Sequence, residues 1–375
     1  MSAAFNLVAK EVIIPKLKVL GVGEFAAKLL HSYLTLRKSR TKVKGIYSAW
    51  VEVRTGIGEG SVLGPLIFIL TIVCCAVVLC RVAQRLRALS YTVTTEDQKD
   101  NQIELSSVEF ADDVTGLTVC QSEDQVALSL KFMMEEYQSY FSAHGLKINV
   151  TKCEHLVLGQ PIGQPIYVDG RKEADNVKLL GLSFSKSYKF EKHVDVVTEK
   201  IAKRNGQLSK LLKIADQQTM TMLANATVLS IASYGAHVYA TEDKQVNRVQ
   251  VKLNKTMRLV TKSKLSVHIP DLLSKMKWMK FAEVVQWSKI MLLHRVITTS
   301  SAPYCKQLLD VSHQSRYAMR DIELKIAWRP RLTRRGFKSF IYSAVKLYNQ
   351  VKLIGKKMTT ATISKFVKLT IKSWR

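Results

Sequence analysis

The sequence predicts an α+β fold, mixed in its first half and largely helical and basic towards its C-terminal end. Three observations predict it. Alternating, turn-punctuated segments concentrate before about residue 190, helical periodicity dominates beyond Lys192, and positive charge gathers in the last third. Of 375 residues, 47% are hydrophobic, enough to bury a substantial core in two or three domains. The formal net charge is +27. Residues 251–375 hold 27 Lys/Arg against 5 Asp/Glu, whereas residues 1–250 hold 30 against 25. Such an imbalance is a footprint for a polyanion, nucleic acid first, with a membrane surface or a merely soluble face as the alternatives.

Taken in order, Val8, Val12, Ile13, Leu17 and Leu20 recur at helical spacing and predict a helix over 8–20, kinked or broken at Pro15. Gly21 and Gly23 end it, and a second helix follows to about Leu36. Arg37 to Lys44 is basic and is expected to be flexible, while Ile46 to Val53 alternates as a strand. The glycine-rich turn Gly56-Ile-Gly-Glu-Gly-Ser61 leads into an apolar run, Leu66 to Cys80, broken only by Thr71. That run is shorter than the ~20 residues a spanning helix needs, so it is predicted as a buried helix or strand, with no membrane partner. Residues 90–107 are polar and read as loop, and Val108 to Val119 as a hairpin interrupted by Asp112-Asp113. Ser122, followed by Glu123 and Asp124, caps a helix that runs to about Ala143 and ends at Gly145. Strands are expected at Leu146–Val150, His155–Leu158 and Val177–Phe184, with Asp169-Gly170 as a hairpin turn.

The cysteines, Cys74, Cys75, Cys80, Cys120, Cys153 and Cys305, lack CxxC spacing and mostly read as buried thiols. With no basic leader before an apolar core, they predict a reducing intracellular setting, nucleus or cytoplasm. Trp278 and Trp287 fall in apolar helical patterns and are expected in the core. Arg329, Arg331, Arg334, Arg335 and Lys338 flank Pro330 and Gly336, a dense cluster expected on an exposed loop that binds RNA or single-stranded DNA.

The chemistry centres on Phe110-Ala-Asp-Asp113. Two adjacent carboxylates among apolar residues are costly unless a cation pairs with them, and hard oxygen ligands suit Mg²⁺. Taken alone, the tetrapeptide reads as an acidic turn between strands before it reads as a metal site. The second feature, Gly56 to Pro65, sets four glycines around Ser61 so that backbone can approach a ligand closely.

Order makes these segments specific. Gly60-Ser-Val-Leu-Gly-Pro65, Phe110-Ala-Asp-Asp113, Gly145-Leu-Lys-Ile-Asn149 with Lys152-Cys153, and Leu179-Leu-Gly-Leu-Ser183 follow one another. The chain thereby resembles the reverse transcriptases of non-LTR, LINE-like retrotransposons, whose palm motifs have the forms GSVLGP, [YF]ADD, GLKxNxxKC and an LG strand. Phe190 to Leu212, Ser230 to Tyr239, Arg335 to Phe340 and Leu347 to Asn349 extend the likeness.

The resemblance implies a partial right-hand polymerase: partial fingers and palm over 1–189, a helical thumb over 190–265 and a basic C-terminal region over 266–375. It implies RNA-directed DNA synthesis by two-metal nucleotidyl transfer, with Mg²⁺ or alternatively Mn²⁺, an RNA template, a DNA primer or target, and deoxynucleotides. Asp112 and Asp113 match the metal-binding pair. Gly60 and Ser61 match the nucleotide and template contacts, with Phe110 beside them as a packing residue. Lys152 lies in the segment linked to protonating the leaving pyrophosphate, and Leu180-Gly181 in the strand that grips the primer. Two departures stand out. The family's first motif, roughly DxSKAFD, would begin before Met1, so truncation and negligible primer extension are expected, and Asn6 replaces its closing Asp. Gly58-Glu59 replaces the usual Pro-Gln. A non-catalytic, nucleic-acid-binding remnant is the alternative function.

Overall fold

A computed structural model describes residues 4–58, 60–72, 75–89, 91, 93–94, 103–158, 166–168, 170–187, 189–299, 305, 309–310, 325–326, 340–351, 364 and 367–368. The chain divides between Asp175 and Asn176 into two units.

The first unit opens with three helices, α1 (Ala4–Leu7), α2 (Lys10–Val19) and α3 (Glu24–Leu34). Helix α2 runs unbroken through Pro15, against the expected break. An interior proline costs a helix about 3 kcal/mol. Ile13 and Leu17, fully buried on either side of it, each contribute a comparable gain of about 1.5–3 kcal/mol. Four short strands follow: β1 (Lys38–Ser39), β2 (Lys42–Val43), β3 (Ile46–Tyr47) and β4 (Val51–Glu52). They pair as β2 with β3 and β1 with β4, so the basic stretch expected to be flexible is one side of a long hairpin. Its turn, Lys44-Gly45, has both residues at positive φ, the geometry that matches strand twist.

Helices α4 (Gly64–Ile72) and α5 (Cys75–Ala88) occupy the apolar run. By length and composition Gly64–Ala88 could cross a membrane. It nevertheless buries Ile67, Phe68, Ile72, Val78, Val82 and Leu86 in the core of this unit, as the reading of a buried helix anticipates. A three-stranded sheet follows, from β5 (Val93–Thr94), β6 (Ile103–Phe110) and β7 (Asp113–Val119), in the order β5-β6-β7. Strand β6 starts five residues earlier than expected. Ile103 and Leu105 are the buried, alternating positions that place it on the core. Helix α6 (Glu123–Ala143) begins with a full capping box between Ser122 and Gln125.

Beyond α6 the strands expected at Leu146–Val150 and His155–Leu158 do not form. A 3₁₀ turn at Val150–Lys152 takes their place, and the Arg171 guanidinium donates to the carbonyls of Val150 and Cys153. The pair β8 (Tyr167–Val168) and β9 (Arg171–Lys172) closes the unit, its turn containing Gly170 at φ 73°. Asp169 lies outside the described residues.

The second unit begins with β10 (Asn176–Leu179) and β11 (Leu182–Ser185), paired antiparallel. In place of the single strand expected over Val177–Phe184, the chain reverses at Leu180-Gly181, where φ is 47° and 83°. This hairpin falls in the same unit as the helices after it. The reason is packing: Leu182 and Phe190 lie against the core formed by α7 (Glu191–Leu211), α8 (Gln217–Ala224), α9 (Ser230–Ser233), α10 (Ala236–Tyr239), α11 (Asp243–Val260), α12 (Ile269–Met276) and the start of α13 (Phe281–Thr298). A π-helical turn, Asn225–Leu229, joins α8 to α9. Trp278 is buried and donates its indole N–H to Asn225 Oδ1 at 2.6 Å. A buried bond from Thr256 Oγ1 to Asn205 Oδ1, 2.8 Å, ties α11 to α7. A further cluster joins Ile290, Leu293 and Val296 of α13 to Ala344, Val345 and Tyr348 of helix Phe340–Val351, with Trp287 packed against it. The short pair β12 (Leu309–Asp310) and β13 (Lys325–Ile326) completes the described elements.

The described thiols depart from expectation, while Cys74 and the Cys75 side chain lie outside the described residues. Cys80 is exposed, and Cys120, Cys153 and Cys305 are half-buried. Cys80 stands on the outer face of α5, whose inner face is filled by Val78, Val82 and Leu86.

Candidate active site

Asp112 and Asp113 stand at the bend of β6 and β7. Phe110 pairs directly with Asp113, leaving Ala111 and Asp112 as a two-residue turn. Ala111 is held at φ 53°, a left-handed conformation that costs an L-residue about 1–2 kcal/mol. The strands beneath hold it there. Ile103 and Leu105 anchor β6 in the core. Gly116 brings β7 so close to α6 that a Cβ would lie 3.0 Å from Met133 Sδ. Asp112 is half-buried and Asp113 exposed. Phe110 is 64% exposed, which corrects its reading as a packing residue: its partner across the ladder is Asp113 at the solvent end, beyond the reach of the core.

Gly60 and Ser61 precede α4. Ser61 Oγ donates to the Gly58 carbonyl at 2.8 Å and accepts from Gly64 N–H at 3.0 Å, a closed turn at the helix entry. Gly64 is confined: a Cβ there would come within 2.7 Å of Gly58 O. Gly60, at φ 75°, has open space where a side chain would be. Ile67 and Phe68 of α4 share one core with Ile103 and Leu105, so the serine turn and the acidic turn are mounted on the same packed body. Glu59 lies outside the described residues.

Lys152 is exposed at the end of the 3₁₀ turn, its backbone N–H bonded to Asn149 O at 3.0 Å. Leu180 and Gly181 form the tip of the second unit's hairpin. The Leu180 carbonyl accepts from Tyr234 Oη at 2.7 Å. The cluster Arg329, Arg331, Arg334, Arg335 and Lys338 lies outside the described residues. Among the described residues no group of three or more His, Cys, Asp or Glu is assembled for a metal.

Sequence reasoning missed a cation buttress beneath the apolar helix. Lys16 Nζ donates to the Thr71 carbonyl near the C-terminus of α4 and to Tyr140 Oη at 2.7 Å, and lies 3.2 Å from His144 Nε2. Burial holds the His144 pKa below its ordinary value and the Lys16 charge adds to this, against the bond to the Tyr140 carbonyl. The signal available was Lys16 itself, a cation beside a helix of buried positions.

A mixed α+β unit with an acidic pair at the bend of a hairpin, and a glycine-serine helix entry packed on the same core, suits a nucleotidyl-transfer domain. Residues 1–184 match the family described as reverse transcriptase (RNA-dependent DNA polymerase). The chain is 27% identical over 281 residues to a probable RNA-directed DNA polymerase from transposon BS of Drosophila melanogaster, covering 70% of this chain and 28% of that protein. It is 21% identical over 266 residues to the RNA-directed DNA polymerase from mobile element jockey of the same organism, covering 69% and 27%. To the probable RNA-directed DNA polymerase from transposon X-element it is 24% identical over 246 residues, covering 62% and 24%. The chain thus spans about a quarter of the length of the curated relatives it matches.

Proposed function

We propose that this chain supplies palm and thumb portions of an RNA-directed DNA polymerase, with Asp112 and Asp113 as the carboxylates that hold a divalent cation. The observation that carries the reading is the Phe110-Ala-Asp-Asp113 bend, two successive carboxylates fixed at a two-residue turn within a reverse-transcriptase domain. The donor set fits Mg²⁺, which takes one or two carboxylates together with substrate phosphates, and Mn²⁺ accepts the same oxygens. When bound, the metal supplies charge neutralisation and activation of a primer hydroxyl for phosphoryl transfer.

The chain's own residues then have these tasks. Residues 1–189 act as partial fingers and palm, 190–265 as thumb and 266–375 as a basic C-terminal region. Ser61 keeps the loop from Gly58 to Gly64 closed, so that side-chain-free backbone at Gly60 meets the nucleotide. Phe110 offers an exposed ring beside the carboxylates. Lys152 donates a proton towards the departing pyrophosphate. The Leu180-Gly181 tip, fastened by Tyr234, grips the primer. Arg329, Arg331, Arg334, Arg335 and Lys338 neutralise template phosphates.

The test is titration of Mn²⁺ into the chain with an RNA template, a DNA primer and a non-hydrolysable deoxynucleotide present. Saturable binding of metal and nucleotide is expected, with both lost in Asp112→Asn and Asp113→Asn. Metal binding untouched by both substitutions overturns the assignment. RNA binding with neither metal nor nucleotide binding favours the non-catalytic remnant.

A further inference from the structure

The hairpin of β1 to β4 is exposed on both faces, from Lys38 to Glu52. An isolated two-stranded hairpin is marginal in water, and one that exposes aromatic rings calls for a reason. Tyr47 is 47% exposed and Trp50 59%. Neither ring belongs to the unit's core. Between residues 37 and 54 there are six cations, Arg37, Lys38, Arg40, Lys42, Lys44 and Arg54, and one carboxylate, Glu52. Glu52 pairs with Arg54 at 3.5 Å.

Two of the cations, Arg40 and Lys42, share a face with the rings. Lys42 is the ladder partner of Tyr47, and its Nζ lies 5.0 Å from the ring centre. The Arg40 guanidinium lies 3.8 Å from the Tyr47 ring centre and 4.4 Å from that of Trp50. Thr41 and Ser48 lock this geometry between the two paired segments. Thr41 N–H donates to Ser48 Oγ and Ser48 N–H to Thr41 O, each at 2.9 Å. Arg40 and Thr41 therefore oppose three residues, Ser48 to Trp50, and the extra residue kinks the ladder where Trp50 emerges.

We propose that this face is a binding platform for a single nucleic-acid strand, with unpaired bases stacking on Tyr47 and Trp50 and phosphates running along Arg40, Lys42 and Lys44. The proposal names a contact for the polymer that the polymerase reading requires, and it rests on that reading only for the source of the strand. Aromatic rings interleaved with cations, almost free of carboxylates, are what sequence-tolerant single-strand binding uses, because every base has a π-face. A duplex hides those faces. A lipid surface fits less well, because Lys44 sits in the turn itself and would have to enter the apolar layer with Val43 and Ile46.

The experiment uses the full chain and a 5-iodouracil-substituted oligouridine, irradiated in complex and digested with trypsin. The cross-link is expected on the peptide spanning residues 45–54, which holds both rings. Tyr47→Ala with Trp50→Ala should weaken oligouridine binding roughly tenfold with the salt dependence kept. Arg40→Ala with Lys42→Ala should lower the slope of log affinity against log salt by about 1.4, since each single-strand phosphate contact contributes about 0.7. The hairpin is solvent-exposed, so circular dichroism of both variants should match the parent. Cross-links confined to other peptides, with both variants binding as the parent does, overturn the proposal. So does binding to anionic phosphatidylserine vesicles that the variants lose while oligouridine binding stays. Metal binding at Asp112 and Asp113 is read separately, so a failed platform leaves the polymerase reading standing, and the reverse holds.

Discussion

Tyr234 Oη donates to the carbonyl of Leu180 at 2.7 Å, fastening the tip of the β10–β11 hairpin to the short segment between α9 and α10. The neighbouring Gly235 is at φ 66°, and a Cβ there would lie 2.7 Å from Leu182 Cδ2. The contact therefore depends on a glycine.

Gly235→Ala should destabilise the second unit by about 1–3 kcal/mol, from left-handed strain and collision together. Tyr234→Phe keeps the ring and loses one exposed hydrogen bond, so it should cost about 0.5 kcal/mol. Urea denaturation of both variants gives the comparison. Equal stability of Gly235→Ala and the parent would show that Leu182 gives way freely.

Stability should fall as pH drops below about 6.5, the unfolded value for histidine. His193 is buried, its ring against Tyr239 at 4.8 Å, and its Nδ1 accepts from Ser183 N–H at 3.3 Å. Burial lowers its pKa and the charge of Lys200 lowers it further. The unfolded chain then takes up the proton first, so stability is complete above about 6.5 and declines as pH falls towards the folded pKa. Protonation also removes the Nδ1 acceptor. In His193→Gln the loss of stability between pH 6.5 and 5 should be smaller than in the parent, measured by urea midpoints. His144, His237 and His294 are shifted the same way and keep a residual slope.

Much of the first unit was legible because its signals are local. Ser122 caps its helix as the sequence suggests, and the fold adds Gln125 to complete a capping box. Asp112 and Asp113 lie on the hairpin that flanking alternation predicts. The misses have non-local causes. Leu180 takes φ 47° in a turn, a place where glycine or asparagine would have announced itself, so a hairpin read as one strand. Pro15 lies within a helix because burial of its neighbours outweighs its cost. The strands expected after Gly145 gave way to side-chain bonds from Arg171, a residue distant in sequence. Of the candidate site, the acidic turn and the serine turn were legible from motif order. The basic hairpin face was hidden, since only the register brings Arg40 over Tyr47.

The basic cluster should be tested in the whole chain. Helix α11 runs from Asp243 to Val260 and packs in one core with α7, so the basic last third, residues 251–375, begins inside a packed helix. Changing Arg329, Arg331, Arg334, Arg335 and Lys338 to Ala should weaken RNA binding and lower the salt slope, by about 0.7 for each phosphate left without its cation. Fluorescence anisotropy across a salt series measures both. An unchanged slope would place the phosphate-binding cations elsewhere.

Ala111 offers a test of how the acidic turn is held. It is an L-residue at φ 53° in the first position of a two-residue turn. Glycine reaches this conformation without steric cost, whereas alanine is about 1–2 kcal/mol worse there. Glycine in turn loses about 0.5–1 kcal/mol through the greater freedom of its unfolded chain. The balance predicts that Ala111→Gly stabilises the protein by up to about 1.5 kcal/mol. The same change releases the backbone between Phe110 and Asp112, so the two carboxylates are less fixed before a cation arrives. Mn²⁺ affinity at the turn should therefore fall severalfold while stability rises, because an ordering cost moves into the binding step. Urea denaturation and Mn²⁺ titration on one preparation read the two effects. If stability and affinity both rise, the left-handed alanine is incidental to the site; if stability falls, the turn is not strained.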